Sequence, residues 1–283
     1  SKNAEAANFP FCTIDPNIGI VDVVDERLDQ LTKLSNSKKK IYTNITFVDI
    51  AGLVKGASKG EGLGNKFLSH IREVDAIIHL VRCFESDKIT HVNSKINPVD
   101  DLETIKTEII LSDLDIIQKK LEKGKKKLLE EKEVKILEDK LSQLNDGKEV
   151  VPNNKEEEKF LTTLGLLSIK PKIIVCNVDE ESLAKGNSYT ESVKKNYSEE
   201  KVVTICADIE DQIMSLDNDE RETFMKEIGL NKTGLNQLIK EGYELLNLDT
   251  FFTSGPEESR AWTIEKNTPA PKAASVIHTD FEK

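Results

Sequence analysis

The chain has 283 residues, of which 37% are hydrophobic and 32% are charged, and its formal net charge is −11. These values are typical of a soluble globular protein with one large domain or two to three modest ones. The acidic balance argues against a general polyanion binder. No apolar run reaches membrane-spanning length, and no secretory signal pattern opens the chain. The four cysteines form no CxxC pair, so we expect a cytoplasmic protein with reduced thiols.

Four apolar, β-rich runs recur along the chain, and several are followed by helical patterns. They are NITFVDI (44–50), AIIHLVRCF (76–84), PKIIVCN (171–177) and KVVTICA (201–207). Continuous apolar strands separated by helices indicate a parallel sheet with helices on both faces, which is an α/β fold. Ligands of such sheets bind beyond the carboxyl ends of the strands, where Asp49 and Asn177 lie.

A charged, strand-free region interrupts these runs at about residues 102–144. Its apolar residues follow an a/d pattern, which predicts a helical hairpin of the coiled-coil type inserted in the α/β domain. Those residues are Leu114, Ile117, Leu121, Leu128, Val134, Leu137, Leu141 and Leu144. The lysine-rich stretch KKLEKGKKK (119–127) is the expected turn. It has two readings, a solvated helix face or a contact with RNA phosphate through charge.

The glycine-rich stretch FVDIAGLVKGASKGEGLGN follows the first strand and has five glycines within residues 52–64. Asp49 and Gly52 form D-x-x-G, the arrangement by which P-loop nucleotidases bind Mg²⁺ through the acid, usually by way of water, and the γ-phosphate through the glycine amide. Alone the pattern is equally consistent with an ordinary turn. A Rossmann interpretation fails because Gly60, Gly62 and Gly64 give GxGxG and lie well beyond the strand.

Two further motifs follow later strands in the order that nucleotide-binding proteins use. Asn177, Val178 and Glu180 form N-x-x-E where guanine-specific proteins have N-K-x-D. Cys206 and Ala207 follow the fourth strand, where such proteins place residues that touch the base. Each motif alone is weak evidence for nucleotide binding. The evidence is stronger because the motifs occur in the order that nucleotide-binding proteins use.

The loop NFPFCTIDPN (8–17) precedes the D-x-x-G strand. A threonine in a proline-flanked loop at this point is where switch I supplies a Mg²⁺ ligand. Thr13 is therefore the candidate, against the alternative of an N-terminal loop with ordinary turn residues.

The motifs together closely resemble the YchF family, the Obg-like ATPases, over nearly the whole chain. Besides NFPFCTIDPN and the glycine-rich stretch, the resemblance lies in VRCFESDKITHV, DLETIKTEIILSDLD and RAWTIEKNTPAPKAASVIHTDFEK. It implies a P-loop NTPase-type, mostly parallel sheet, an inserted helical hairpin and a β-grasp TGS domain. It also implies Mg²⁺-dependent hydrolysis of ATP in preference to GTP, ribosome association, and a role in translation or stress responses.

The domain boundaries predicted from this reading divide the chain into four segments. Residues 1–100 and 161–248 form the nucleotide-binding domain, 101–160 the helical insertion and linker, and 249–283 the start of the TGS domain. The phosphate-binding loop of the family, G-x-P-N-V-G-K-S, does not occur in the chain. We expect it roughly thirty residues upstream, about one strand–loop–helix unit, and we expect nucleotide binding to be impaired without it.

The position after D-x-x-G is Leu53, where Ras-like proteins have the glutamine that orients the attacking water. Leucine cannot do this, and the family resemblance favours His91 in the loop after the second strand. His79 is mid-strand and expected in the core, His70 is on the following helix, and His278 is remote.

The function predicted is a ribosome-associated regulatory ATPase that hydrolyses GTP more weakly. A nucleotide-regulated ribosome-binding scaffold with incidental hydrolysis is the alternative, and the sequence leaves both open. The expected partners are ATP or GTP, Mg²⁺, and the ribosome with its RNA. We expect a monomer with no membrane association and no sequence-specific DNA binding.

Overall fold

The computed structural model describes residues 17–50, 63–86, 95–124 and 129–282. No helix within these ranges combines the length and the apolar character that crossing a membrane requires. The strands are β1 (Asn17–Val23), β2 (Lys39–Ile41), β3 (Thr43–Asp49), β4 (Ile77–Arg82), β5 (Lys172–Asn177), β6 (Lys201–Ile205), β7 (Leu248–Ser254) and β8 (Glu258–Glu265). The helices are α1 (Glu26–Leu34), α2 (Leu63–Glu73), α3 (Pro98–Gly124), α4 (Glu131–Asn145), α5 (Lys155–Thr163), α6 (Glu180–Lys185), α7 (Ser188–Asn196), α8 (Ala207–Ser215), α9 (Asn218–Glu227), α10 (Gly234–Leu245) and α11 (Ala270–Ala274), followed by a short 3₁₀ helix at Thr279–Glu282.

The residues divide into two compact units, one of Asn17–Asp49 with Leu216–Lys283 and the other built on Ile50–Ser215. The second unit contains a parallel sheet in the order β4-β5-β6. In β5 the run Ile173–Cys176 is at most 3% exposed, which is why this strand is apolar without alternation. The predicted parallel sheet of an α/β protein is confirmed for these strands.

The first unit contains the remaining strands. β1 and β3 form an antiparallel pair in which Asn17 lies opposite Asp49. A second sheet has the order β2-β8-β7, with β2 parallel and β7 antiparallel to β8. This corrects one expectation, because β3 was predicted in the parallel sheet with the other apolar runs. Its residues alternate in exposure from Thr43 to Phe47, as in a two-faced antiparallel strand. β1 was not predicted at all.

The helical hairpin lies where the a/d pattern predicted it. α3 and α4 pack against each other and against α5 through a buried cluster that includes Ile117, Leu137, Leu144 and Leu161. Lys140 is fully enclosed in this region, and its Nζ lies 2.7 Å from Glu157 Oε1. A buried lysine is tolerated here because its charge is paired and its remaining donors are used. The hairpin of the predicted fold is confirmed, and the domain boundaries remain predictions.

Candidate nucleotide site

The carboxyl ends of β5 and β6 bring the N-x-x-E motif and the Cys206–Ala207 segment together. Asn177 pairs with Ile205 across the two strands. Beyond the pairing, Asn177 Oδ1 accepts a hydrogen bond from the Ala207 backbone N–H at 3.0 Å. The Val178 N–H donates to the Ile205 carbonyl at 2.9 Å. The two loops are thus fixed to each other at the edge where ligands of parallel sheets bind.

The hydrogen bond from Ala207 determines which hydrogen-bonding groups of the Asn177 side chain remain for a ligand. Its carbonyl oxygen already accepts one hydrogen bond and retains one lone pair. Among the residues that the structure describes, neither hydrogen of its Nδ2 has an acceptor. The side chain is half-buried, and the hydrogen bond from the Ala207 N–H fixes its orientation. It can therefore donate to an acceptor such as N7 of a purine base.

Glu180 is the first residue of α6. Its side chain has a hydrogen-bond partner that the sequence patterns did not indicate. Asp179 caps this helix, with Oδ1 accepting from the Ser182 N–H at 2.9 Å. The exposed Glu180 carboxylate accepts from Gln212 Nε2 at 3.2 Å. Gln212 lies on α8 and belongs to no recognisable motif. Only the pairing of β5 with β6, which places α6 beside α8, brings it to Glu180.

Val178 and Cys206 were predicted as nucleotide-binding residues, but they are only 2% and 1% exposed. These values cover the whole residue, so backbone and side chain are both almost fully buried. The Cys206 carbonyl accepts from the Glu210 N–H at the start of α8, and burial raises the pKa of the Cys206 thiol. Ala207 is exposed at the helix start. The binding roles of these residues remain predictions.

Asp49 lies at the carboxyl end of β3 in the other unit, and its side chain is exposed. Within the described ranges no hydrogen bond or ion pair uses its carboxylate. No cluster of three or more His, Cys, Asp or Glu side chains suited to a metal occurs in the described part of the chain. A single carboxylate still fits Mg²⁺, since this ion in phosphate-transfer sites is held by one or two carboxylates, water and the substrate phosphates.

The other predicted site residues are Thr13, Gly52 and His91, and all three lie outside the described residues. Their roles therefore remain predictions. His79, which was expected in the core, lies in β4 with its Nε2 buried.

The fold and the order of the motifs define a protein of the P-loop nucleoside triphosphatase class. The solved structure of the Schizosaccharomyces pombe YchF GTPase is similar over 98% of this chain and 78% of that chain, with a TM-score of 0.83 and 36% identity. Residues 1–113 match a family model described as 50S ribosome-binding GTPase, and residues 248–283 match the model YchF-GTPase_C, described as a protein of unknown function.

Curated relatives extend the similarity to the whole chain. Ribosome-binding ATPase YchF of Bacillus subtilis is 47% identical over 99% of this chain and 80% of its own length. The protein of that name from Escherichia coli O157:H7 is 48% identical over 99% of this chain and 79% of its own length. The chain belongs to the YchF family.

Proposed function

We propose that the protein binds and hydrolyses nucleoside triphosphates, prefers ATP to GTP, and acts as a ribosome-associated regulatory switch in the cytoplasm. Relatives that share nearly half of its residues are named ribosome-binding ATPases, which supports both the reaction and the partner. The observation that carries the base preference is the pair Asn177 and Glu180 at the carboxyl ends of β5 and β6.

The base preference follows from hydrogen-bond chemistry. Guanine presents N1–H and N2–H₂ donors side by side, and the aspartate of N-K-x-D accepts both. Adenine has an acceptor at N1 and an amino donor at N6. Glu180 is one methylene longer than aspartate, so its carboxylate overshoots the position that guanine needs. Loss of this paired, charge-assisted recognition costs on the order of 3 kcal/mol, enough to remove a guanine preference of ~100-fold.

Asn177 serves either purine through N7, because its Nδ2 hydrogens have no acceptor among the described residues while Ala207 holds its Oδ1. The remaining lone pair of Oδ1 suits the N6 amino group of adenine and not the O6 acceptor of guanine. Gln212 holds the Glu180 carboxylate towards α8, which further opposes its use as a guanine acceptor. The contact with N7 is therefore neutral, and the other two contacts favour ATP.

The hydrolytic roles are proposed from the motifs. Asp49 and Thr13 would hold Mg²⁺, in part through water, and the ion would supply charge neutralisation at the phosphates. The Gly52 amide would bind the γ-phosphate, which only a residue without a side chain can approach so closely. His91 would orient the attacking water, because Leu53 cannot.

Ribosomal RNA is the proposed contact of the lysine-rich stretch 119–127. Lys119 is 65% exposed and pairs on the helix surface with Asp115 at 2.6 Å. Surface pairs of this kind contribute little to stability, so the lysines of this part of α3 are free to exchange partners for RNA phosphates.

The base preference is tested by side-by-side titrations of the full-length protein with ATP and GTP in Mg²⁺. We expect ATP to bind at least as well as GTP, and Glu180→Asp to shift the preference towards GTP. Val178 is left unchanged because a lysine at this buried position would bury a charge. The control is Glu181→Asp, the same change at the exposed neighbour on α6. An unmodified protein that favours GTP by ~10-fold or more refutes the proposal.

A further inference from the structure

The helix that begins at the end of the glycine-rich stretch, α2, packs directly on the long helix of the hairpin, α3. Leu68 and Ile71 of α2 form a buried cluster with Ile109 of α3 and with Leu167. All of these side chains are at most 6% exposed. Apolar packing of this kind holds two helices together, but it contributes no directional bond between them.

A directional hydrogen bond also joins the two helices. Arg72, in the last turn of α2, donates from Nη2 to Ser112 Oγ on α3 at 2.6 Å. Its Nε is buried and has no hydrogen-bond partner among the described residues. Lys170 Nζ donates to the Arg72 carbonyl at 3.0 Å and to the Val74 carbonyl. The end of α2 is therefore fixed on both sides, by α3 and by the segment that leads into β5.

Asp113, next to Ser112, fixes α3 to the same segment. It is fully buried and accepts hydrogen bonds from the Leu167 N–H at 2.8 Å, the Ser168 N–H at 2.8 Å and Ser168 Oγ at 2.6 Å. Burial raises the pKa of this carboxyl, and the three donors and the charge of Arg72 oppose that rise. Arg72, Ser112, Asp113, Leu167 and Ser168 are called here the Arg72 cluster.

The cluster lies between two parts of the protein with different proposed roles. α2 begins at Leu63, so its first residues are the last residues of the glycine-rich stretch that is proposed to bind the γ-phosphate. α3 continues for more than two turns beyond Asp113 into the hairpin, where its Ile117 shares a buried core with Leu137 and Leu144 of α4. A close-packed helix transmits a displacement at Asp113 along its length to its contacts with α4.

We propose that the Arg72 cluster couples the nucleotide state to the helical hairpin, by making α2 and α3 move together when α2 responds to the γ-phosphate. Arg72 is then a positioning residue and has no part in the chemistry. The inference rests on the proposed function, since it needs a nucleotide that displaces α2. It adds the route by which the ribosome-facing hairpin senses that nucleotide.

The test measures hydrogen exchange in α4 of the full-length protein, with Mg²⁺ and a non-hydrolysable ATP analogue and without them. Affinity for the analogue is measured separately by calorimetry. We expect exchange rates in α4 to differ between the two states by ~5-fold or more, the size of an ordinary coupling. Arg72→Met, which keeps the apolar stem but removes the guanidinium, should abolish most of this difference and change the affinity by less than ~3-fold. Arg72→Lys should restore part of the difference, because a lysine can still donate to Ser112.

A second pair of variants distinguishes loss of the hydrogen bond from loss of folding. Ser112→Ala removes only the oxygen that accepts from Arg72, and it should reduce the difference in α4. Thr107→Ala removes a hydroxyl from an exposed position one turn earlier on α3, and it should leave the difference intact.

Two results would overturn the coupling while leaving the proposed function standing. One is a protein that binds the analogue with no change in α4, and the other is an Arg72→Met or Ser112→Ala variant with an undiminished change. A protein that does not bind the analogue at all would overturn the proposed function and the coupling with it, and the calorimetry identifies that case.

Discussion

His79 is predicted to make the stability of the protein fall in mild acid. It lies in β4 beside Ile174 and faces a cavity of about 20 Å³. Its Nε2 is buried without a hydrogen-bond partner among the described residues. Burial, with a smaller effect of the Lys172 charge, lowers the pKa of His79 from 6.5 to about 4. The other residues that line the cavity are Leu102, Lys106, Glu149, Lys172, Ile174, Tyr197 and Glu200.

The direction and the size of the change in the free energy of unfolding follow from the pKa values of His79 in the unfolded and folded states. Between pH 6.5 and about pH 4 the unfolded chain binds a proton at His79 that the folded protein does not. The free energy of unfolding is therefore fully retained above pH 6.5 and falls as the pH drops towards 4. A shift of this size, at 1.36 kcal/mol per pH unit, corresponds to a loss of about 3 kcal/mol.

The measurement is urea denaturation of the protein and of His79→Leu between pH 4 and pH 7.5. Leucine fits the apolar strand and removes the titration, so the difference between the two proteins isolates His79 from the carboxylates that titrate nearby. We expect the stability of the variant relative to the parent to rise by about 3 kcal/mol as the pH falls. His278→Gln, at a 63% exposed histidine, is the control and should follow the parent. Parallel profiles for parent and His79→Leu would refute the reasoning.

Three further outcomes are expected. His91→Ala should lower kcat by about 10²-fold or more with little change in ATP affinity, as measured by steady-state kinetics and calorimetry; lost affinity at unchanged turnover would assign the residue to binding. Replacing Lys119, Lys120 and Lys123 with Gln should weaken ribosome co-sedimentation and flatten its salt dependence, and an unchanged slope would mean a solvated helix face. Lys140→Met should lower the free energy of unfolding by about 3–5 kcal/mol, because it leaves Glu157 buried and unpaired; equal urea midpoints would contradict this.

Strong local patterns made part of the fold predictable. β5 is recognisable because four consecutive apolar residues indicate a strand that is buried on both faces of a sheet. The hairpin was recognised because its a/d residues recur over several turns. Asn177 was identified because it ends a buried strand, and that position alone brings it to the ligand edge of the sheet.

The remaining features depend on contacts between residues far apart in the sequence. β1 has alternating exposure and two exposed isoleucines, Ile18 and Ile20, so it has no continuous apolar run to signal it. Gln212 and Arg72 are polar residues on helices, where most such residues only meet solvent. Their partners, Glu180 and Ser112, lie 32 and 40 positions away, and no periodicity encodes such pairs.

Single-turnover hydrolysis of ATP by the full-length protein, with and without ribosomes, tests the central proposal most directly. With Mg²⁺ present, a ribosome-associated switch should hydrolyse ATP on its own and hydrolyse it faster with ribosomes. A rate that ribosomes leave unchanged, or no hydrolysis above the buffer control in either condition, would contradict it.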